Sequence, residues 1–271
     1  MSKTIFNIHH LMSNSILMHV ENGVATITLN RPQVFNSFNR EMAFAMQDAL
    51  DQCVSNDEVR AVMIIGDGKA FCAGQDIQEI TDPELNPGFK AILDDHYNPI
   101  VLKIRNLEKP VVAAVNGVAA GAGANIALCC DVVIATESAA FIQAFSKIGL
   151  IPDSAGTFFL PRLIGFGKAS AAMMLADKIT AQEADQMGMI YKVVKDEDFL
   201  DFTKATSQKL AALPTVALAN TKKALNQSYN NTVEEQLALE SKLQIESAST
   251  EDYAEGVASF MEKRKPVFKG K

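Results

Sequence analysis

Polar and apolar positions alternate near the start of the chain and later recur at helical spacing, so segments read in turn as strands or helices. Ile16–Glu21 and Val24–Leu29 flank Asn22-Gly23, a pair that tolerates positive φ angles and so predicts a two-residue hairpin turn. Asn30-Arg31-Pro32 ends the hairpin. Asn39 is placed to cap a helix whose apolar face is Met42, Met46, Ala49, Leu50 and Cys53. Ala61–Ile65 reads as a buried strand stopped by Gly66-Asp67-Gly68. The small residues from Phe71 to Asp76 lead into a short helix. The stretch from Thr81 to Asp95, with Pro83, Pro87 and Gly88, reads as loop, and a helix is expected from about Tyr97 to Arg105.

Between Val111 and Cys130 there is no charge for 20 residues. That is long enough for a membrane span. The composition argues otherwise. Val111–Val115 is β-branched, Gly117–Gly123 is small and turn-prone, and Ala124–Cys130 is helical; three glycines and two asparagines suit a lipid-spanning helix poorly. Strand, turn and helix buried in protein is the expectation. Asp131–Ala135 adds another buried strand, and the alternation of strands with helices argues an α/β core with mainly parallel pairing. Beyond Val194 four amphipathic helical stretches run from about Glu197 to Lys263, some separated by Pro214 or by Tyr229-Asn230-Asn231. The chain thus divides into an irregular leader (1–14), a core (15–195) and a C-terminal helical module (196–271) suited to oligomer contact.

Composition narrows the picture further. With 271 residues, 48% of them hydrophobic, the chain can bury a sizeable core and is not disordered. A net charge of −7 disfavours nucleic acid or an anionic membrane as partner. Cys53, Cys72, Cys129 and Cys130 show no framework spacing, which suits a reduced, cytoplasmic protein. The leader, with His9, His10 and Met12, lacks the features of a signal peptide. His19 and His96 are equally scattered, so no metal site is expected. Gly165-Phe166-Gly167-Lys168 fails as a phosphate loop, because Arg162 takes its first glycine position and Ala169 its hydroxyl position. Gly121-Ala122-Gly123 fails as a dinucleotide fingerprint, because Ile126 takes the third glycine position. Cys72 reads as a packing thiol.

Two small-residue turns remain, Cys72-Ala73-Gly74-Gln75-Asp76 and Gly121-Ala122-Gly123-Ala124-Asn125, each leading toward a helix. They either allow close strand–helix packing or, facing each other, offer two backbone N–H groups to one oxyanion. On the residues alone, packing is the plainer reading. Asp153, between Pro152 and Ser154, has two readings of the same kind. It is either a helix N-cap or a carboxylate base desolvated by Phe145, Leu150, Ile151 and Phe158, whose burial would raise its pKa.

Taken together, Asn30-Arg31-Pro32 with Asn36, the segment from Gly68 to Asp76, that from Lys109 to Gly117, and the tail from Glu255 to Arg264 resemble the crotonase superfamily of enoyl-CoA hydratases and isomerases. The resemblance runs from about Ser15 to Lys271. It implies an α/β fold, a spiral of ββα units with a C-terminal helical trimerisation module, assembled as a homotrimer or a dimer of trimers. It implies an acyl-CoA thioester as substrate and no separate cofactor, since CoA is part of the substrate. The oxyanion donors fall on the N–H groups of Gln75 and Ala122, where the second position is commonly glycine. Substrate contacts fall on Ala73, Gly74, Asp76, Ile77, Gly121, Asn125 and Phe145, with Phe260 and Lys263 reaching the CoA of a subunit. CoA is a polyanion, and the tail's Lys263, Arg264, Lys265, Lys269 and Lys271 against Glu262 could receive it. The two glutamates with which hydratases activate water are replaced here by Asn125 and Phe145, and Asp153 stands where some relatives place a single aspartate. The segment from Ala144 to Asp153 is most similar to members that isomerise a ring-epoxide CoA ester, 2-(1,2-epoxy-1,2-dihydrophenyl)acetyl-CoA, to an oxepin, or shift a double bond from the 3 to the 2 position. The expected activity is therefore acyl-CoA isomerisation. Two alternatives stand beside it: an enoyl-CoA hydratase, and a non-catalytic acyl-CoA-binding scaffold that partners a hydratase of the same pathway.

Overall fold

The computed structural model describes residues 14–271; the leader expected at 1–14 lies almost wholly outside the described residues. Strands β1 (Ile16–Glu21) and β2 (Val24–Leu29) form the expected antiparallel hairpin, in register from Ile16 opposite Leu29 to Glu21 opposite Val24. Asn22 and Gly23 take φ of 52° and 78°, as a two-residue turn requires. Helix α1 (Arg40–Ser55) is capped by Asn39, whose side chain accepts the Met42 N–H, and it buries the five apolar residues expected of it.

The chain then makes three similar turns. In the first, β3 (Ala61–Gly66) and β4 (Ala70–Cys72) precede α2 (Ile77–Thr81), α3 (Phe89–Ala91) and α4 (Asn98–Asn106). In the second, β5 (Val111–Val115) and β6 (Val118–Ala120) precede α5 (Ala122–Leu128); in the third, β7 (Val132–Thr136) and β8 (Ala140–Ile142) precede α6 (Gly156–Leu175). Then come β9 (Ile179–Thr180), α7 (Ala181–Gln186) and β10 (Lys192–Val194). Each ββα unit sends its first strand to one sheet and its second to another. The larger sheet has the order β1-β2-β3-β5-β7-β10, and the smaller has β4-β6-β8-β9. Pairing is parallel except at β1–β2 and β8–β9. At the corner between β5 and β6 the backbone of one unit meets that of the unit before it. A Cβ on Gly117 would lie 2.2 Å from the Lys69 carbonyl oxygen, so no side chain fits there.

Alternation within the strands divides the core. Val62, Ile64, Val111, Ala113 and Val115 join the main cluster with α1 and α4. Their neighbours Ala61, Met63, Val112 and Ala114 point to the opposite face, against Phe199 and Ala211 at the two ends of α8 (Phe199–Ala211). Four C-terminal helices follow as expected: α8, α9 (Thr215–Gln227), α10 (Val233–Ala248) and α11 (Glu251–Met261). They are tied to the core by a buried ion cluster. Asp131 accepts from Lys222 at 2.8 Å, Arg105 at 3.0 Å and the Val111 N–H at 2.8 Å.

Two expectations need correction. The segment expected as loop to Asp95 is helical from Phe89, because α3 runs through a π-helical turn (Ile92–Tyr97) into α4 and buries Ile92, His96 and Tyr97. Pro83, Pro87 and Gly88 break only the part before it. The turn-prone Gly117–Gly123 contains β6, a strand of three residues that exists because the smaller sheet pairs it on both sides. Such a strand is too short to show a period.

Candidate active site

The two small-residue turns meet. Strand β4 pairs with β6, Cys72 opposite Ala119, and this places the chain after each strand side by side. Gly74, at φ 94°, is packed so that a Cβ would sit 2.9 Å from the Ala120 carbonyl oxygen and 3.5 Å from the Ala122 nitrogen. A Cβ on Gly123 would sit 2.5 Å from the Cys72 carbonyl oxygen. The two turns are therefore packed backbone to backbone at this spot.

The orientation of the first donor follows from a bridge to Phe38. Phe38 donates its N–H to Gly74 O at 2.7 Å and accepts from the Asp76 N–H at 2.8 Å. The Gln75 N–H, between them, points away from Phe38 and has no acceptor among the described residues. Ala122 opens α5, so its N–H precedes the first intrahelical bond, which Asn125 makes to Gly121 O. It likewise has no acceptor among the described residues. Two such N–H groups on adjoining turns can donate to one oxygen.

Around the first turn, side chains are occupied. Asp76 caps α2 by accepting the Gln78 N–H at 3.0 Å, and it pairs with Arg31 at 2.8 Å. Its carboxylate is thus engaged within the protein. The Gln75 amide accepts from the Tyr97 hydroxyl at 2.9 Å and donates to Glu79 at 2.7 Å. Glu79 in turn accepts the Arg40 N–H at 2.6 Å. Tyr97 and Glu79 do not stand out in the sequence: one merely opens the helix expected from about Tyr97 to Arg105, and the other looks like any surface acid. Ala73 donates its N–H to Phe35 O at 2.9 Å, and Ile77, first in α2, is exposed. Cys72 is buried, and burial pushes its thiol up to about 12, as a packing thiol requires.

The second turn meets the Asp153 segment. Gly121 takes φ 53° and ψ −127°, and the Phe145 ring lies over it, 3.8 Å from where a Cβ would be. Phe145 is buried. Asn125, 1% exposed, donates to the Asp153 carbonyl at 2.8 Å and accepts from Gln143 at 2.8 Å. Asp153 does not cap α6; the cap is Ala155, and the Asp153 carbonyl, not its side chain, accepts the Gly156 N–H. The half-buried carboxylate accepts from the Ser154 hydroxyl at 2.9 Å. Burial raises its pKa and the Ser154 bond opposes the shift. The expected apolar surround is only partly present. Phe145 is buried, but Ile151 is 81% exposed and Leu150 and Phe158 are also exposed. Ser154 and Ala155 sit at φ 49° and 59°, strained for side chains other than glycine.

Phe260 and Lys263 lie apart from these turns in sequence and are exposed at the end of α11. The basic tail is less positive than its composition suggests. Arg264 pairs with Glu255 and Glu262, and Lys269 with Glu251. These acids, except Glu262, come from earlier in α11, ahead of the basic tail in sequence but beside it in space. A cleft of about 690 Å³ between α4, α6 and α9 includes none of Gln75, Ala122 and Asp153 in its lining. Among the described residues no cluster of His, Cys, Asp and Glu could hold a metal. Helix α6 is long and apolar enough to cross a membrane, yet Gly165, at φ 77°, kinks it.

Comparison with known proteins places the chain in a family and a fold. The family model described as enoyl-CoA hydratase/isomerase matches residues 19–271. The 1,2-epoxyphenylacetyl-CoA isomerase of Escherichia coli K12 is 45% identical over 262 residues, 96% of this chain and 100% of that one. A Rhodobacter capsulatus protein named "Probable enoyl-CoA hydratase" is 44% identical over 258 residues, 95% of this chain and 99% of that one. Among solved structures, an enoyl-CoA hydratase from Polaromonas sp. JS666 superposes with TM-score 0.87 at 33% identity, covering 93% of this chain and 99% of that one.

Proposed function

The chain belongs to the enoyl-CoA hydratase/isomerase family, and from that premise we propose that it is an acyl-CoA isomerase whose reacting groups are two backbone N–H donors and one aspartate. Overall similarity does not separate isomerase from hydratase, since relatives bearing the two names are 45% and 44% identical. The observation that carries the reading is local. Where the family's hydratases carry two glutamates, this chain has Phe145, an apolar ring over Gly121, and Asn125, whose amide is engaged at both ends. A single carboxylate, Asp153, faces the task. One carboxylate can relay a proton; it is a poor substitute for the pair that splits water.

In this reading the thioester carbonyl oxygen accepts from the N–H groups of Gln75 and Ala122. As the C2–H bond breaks, charge moves onto that oxygen, where preorganised donors act more strongly than on the ground-state carbonyl. Asp153 accepts the proton, the double bond moves from C3–C4 to C2–C3, and the same carboxylate returns the proton at C4. Its raised pKa suits both halves of the relay. For a ring-epoxide ester, the same polarised carbonyl would assist ring opening, with Asp153 holding the mobile proton. CoA itself, as part of the substrate, would run past Ala73. Phe260 and Lys263, exposed in the single chain, would meet it within a homotrimer or a dimer of trimers. The exposed Phe166, Met174 and Leu175 of α6 are apolar surface that such an assembly would cover. A cytoplasmic location accompanies this reading.

The test is incubation with 3-enoyl, 2-enoyl and ring-epoxide CoA esters in deuterated water, read by mass spectrometry. Deuterium at C2 or C4 with no added water is the expected result. Gain of one water would assign a hydratase, and binding without any turnover would assign a scaffold.

A further inference from the structure

Gln143 follows β8 and is 1% exposed, and among the described residues its side chain has one hydrogen-bond partner, Asn125. We propose that Gln143 is a positioning residue for the isomerisation: it anchors the Asn125 amide, and Asn125 holds the backbone that carries Asp153. The inference rests on Asp153 being the proton relay.

The direction of the bonds makes the case. Gln143 Nε2 donates to Asn125 Oδ1 at 2.8 Å, and this leaves Asn125 Nδ2 toward the Asp153 carbonyl, to which it donates at 2.8 Å. The Asp153 carbonyl can only accept, so it fixes Asn125 with Nδ2 toward itself and Oδ1 toward Gln143, whose Nε2 then holds that oxygen. The Gln143 bond therefore anchors the far end of the amide in the orientation that the Asp153 carbonyl demands. The start of α6 clamps the amide from the other side. A Cβ on Gly156 would fall 2.3 Å from Asn125 Nδ2 and 2.7 Å from its Cγ. The clamp matters because Ser154 and Ala155, next along the chain, both adopt left-handed conformations that their side chains disfavour. Such a segment is held by its bonds rather than by backbone preference.

Packing does not account for Gln143. Its Oε1 is buried and has no donor among the described residues. An unpaired buried acceptor lowers stability, and that cost offsets what the bond to Asn125 returns to the fold. The glutamine is thus more useful to the site than to the fold.

The test is Gln143→Met in the full-length protein, which keeps the length of the side chain and removes the bond. The kcat for the 3-to-2 shift should fall about tenfold, the worth of one buried hydrogen bond, while KM stays within about twofold. The melting temperature should move by less than about 3 °C, because one unpaired acceptor, Gln143 Oε1, is exchanged for another, Asn125 Oδ1. Asn125→Asp, which keeps an acceptor for Gln143 but loses the donor to Asp153, should cost at least as much rate. Adding Gln143→Met to it should cost little more, because both act through one chain of bonds. Unchanged kcat in Gln143→Met, a loss accounted for by unfolding, or costs that multiply in the double variant would overturn the proposal. Asp153→Asn measured alongside separates the two readings. If it retains turnover, the relay reading falls and this inference with it. If it is inactive while Gln143→Met behaves as wild type, only this inference falls.

Discussion

Replacing Gly123 by alanine perturbs the two donor turns at the point where they touch. The added Cβ would lie 2.5 Å from the Cys72 carbonyl oxygen, 2.6 Å from its Sγ and 2.7 Å from its Cβ. Each contact is roughly 1 Å inside ordinary van der Waals distance. Two of the three partners are backbone or Cβ, so no rotamer change relieves the clash, and α5 must move from β4. Ala122, the residue before Gly123, moves with it. Oxyanion donors act at about 2.7–3.1 Å, and a displacement of about 1 Å takes an N–H beyond useful reach. Loss of one donor costs about 10²–10³ in kcat. Overpacking costs about 1–3 kcal/mol of stability, which leaves a domain of this size folded. The assay is solvent deuterium exchange at C2 of a 3-enoyl-CoA, with circular dichroism for folding and calorimetry for ester binding. Adding Cys72→Ala should restore little, since the carbonyl contact at 2.5 Å persists. A folded Gly123→Ala protein with wild-type exchange would refute the placement of a donor at the start of α5.

Asp153→Asn should abolish exchange and raise stability at neutral pH. The folded protein holds this proton more tightly than the unfolded chain does, so the aspartate's contribution is favourable at low pH and is lost as pH rises through its raised pKa. The gain in melting temperature from asparagine should therefore be present at pH 7 and shrink toward pH 4, and wild-type activity should fail on the acid side above the ordinary carboxylate range. Asp131→Ala strips the partner from Lys222 and Arg105, which are 7% and 19% exposed. A loss of about 3–5 kcal/mol is expected, with proteolytic cleavage appearing first in α9; a melting temperature within a degree of wild type would deny the cluster that role. Asp76→Ala removes both the α2 cap and the Arg31 partner. A cost of about 2 kcal/mol or more should appear as a fall in urea midpoint, whereas an unchanged midpoint with weaker ester binding would give the carboxylate to the ligand instead.

Elements with a strong period or a specific turn were legible from the chain alone. The Asn22-Gly23 hairpin, the Asn39-capped α1 and the four C-terminal helices all form as expected. Those whose existence depends on distant partners were not. Strands β4, β6 and β8 have three residues each and are defined by one another. The helical stretch before Tyr97 is hidden in the sequence by Pro83, Pro87 and Gly88, which stand just ahead of its start at Phe89. The basic tail was misjudged for a related reason: Glu251 and Glu255 stand earlier in sequence but beside Lys269 and Arg264 in space.

The site divides along the same line. Residue types could suggest that two glycine turns face one another, because small side chains near a helix start have few other uses. They could not say which way an N–H points; the Phe38 bridge decides that for Gln75. Asn125 shows the limit best. In the sequence it registers as a substrate contact implied by the family resemblance and as a missing glutamate, an absence that argues against water addition. In the fold its amide has a use of its own, pinned by Gln143 at one end and holding the Asp153 carbonyl at the other. The uncharged run from Val111 to Cys130 is therefore more than the route of a strand, turn and helix through the core. Within it, three residues after Ala122, lies a side chain that ties the start of α5 to the segment bearing the Asp153 carboxylate. The same substitution that would remove hydratase chemistry thus couples the two halves of the relay, so restoring the glutamate at position 125 alone should cost isomerisation without creating hydration.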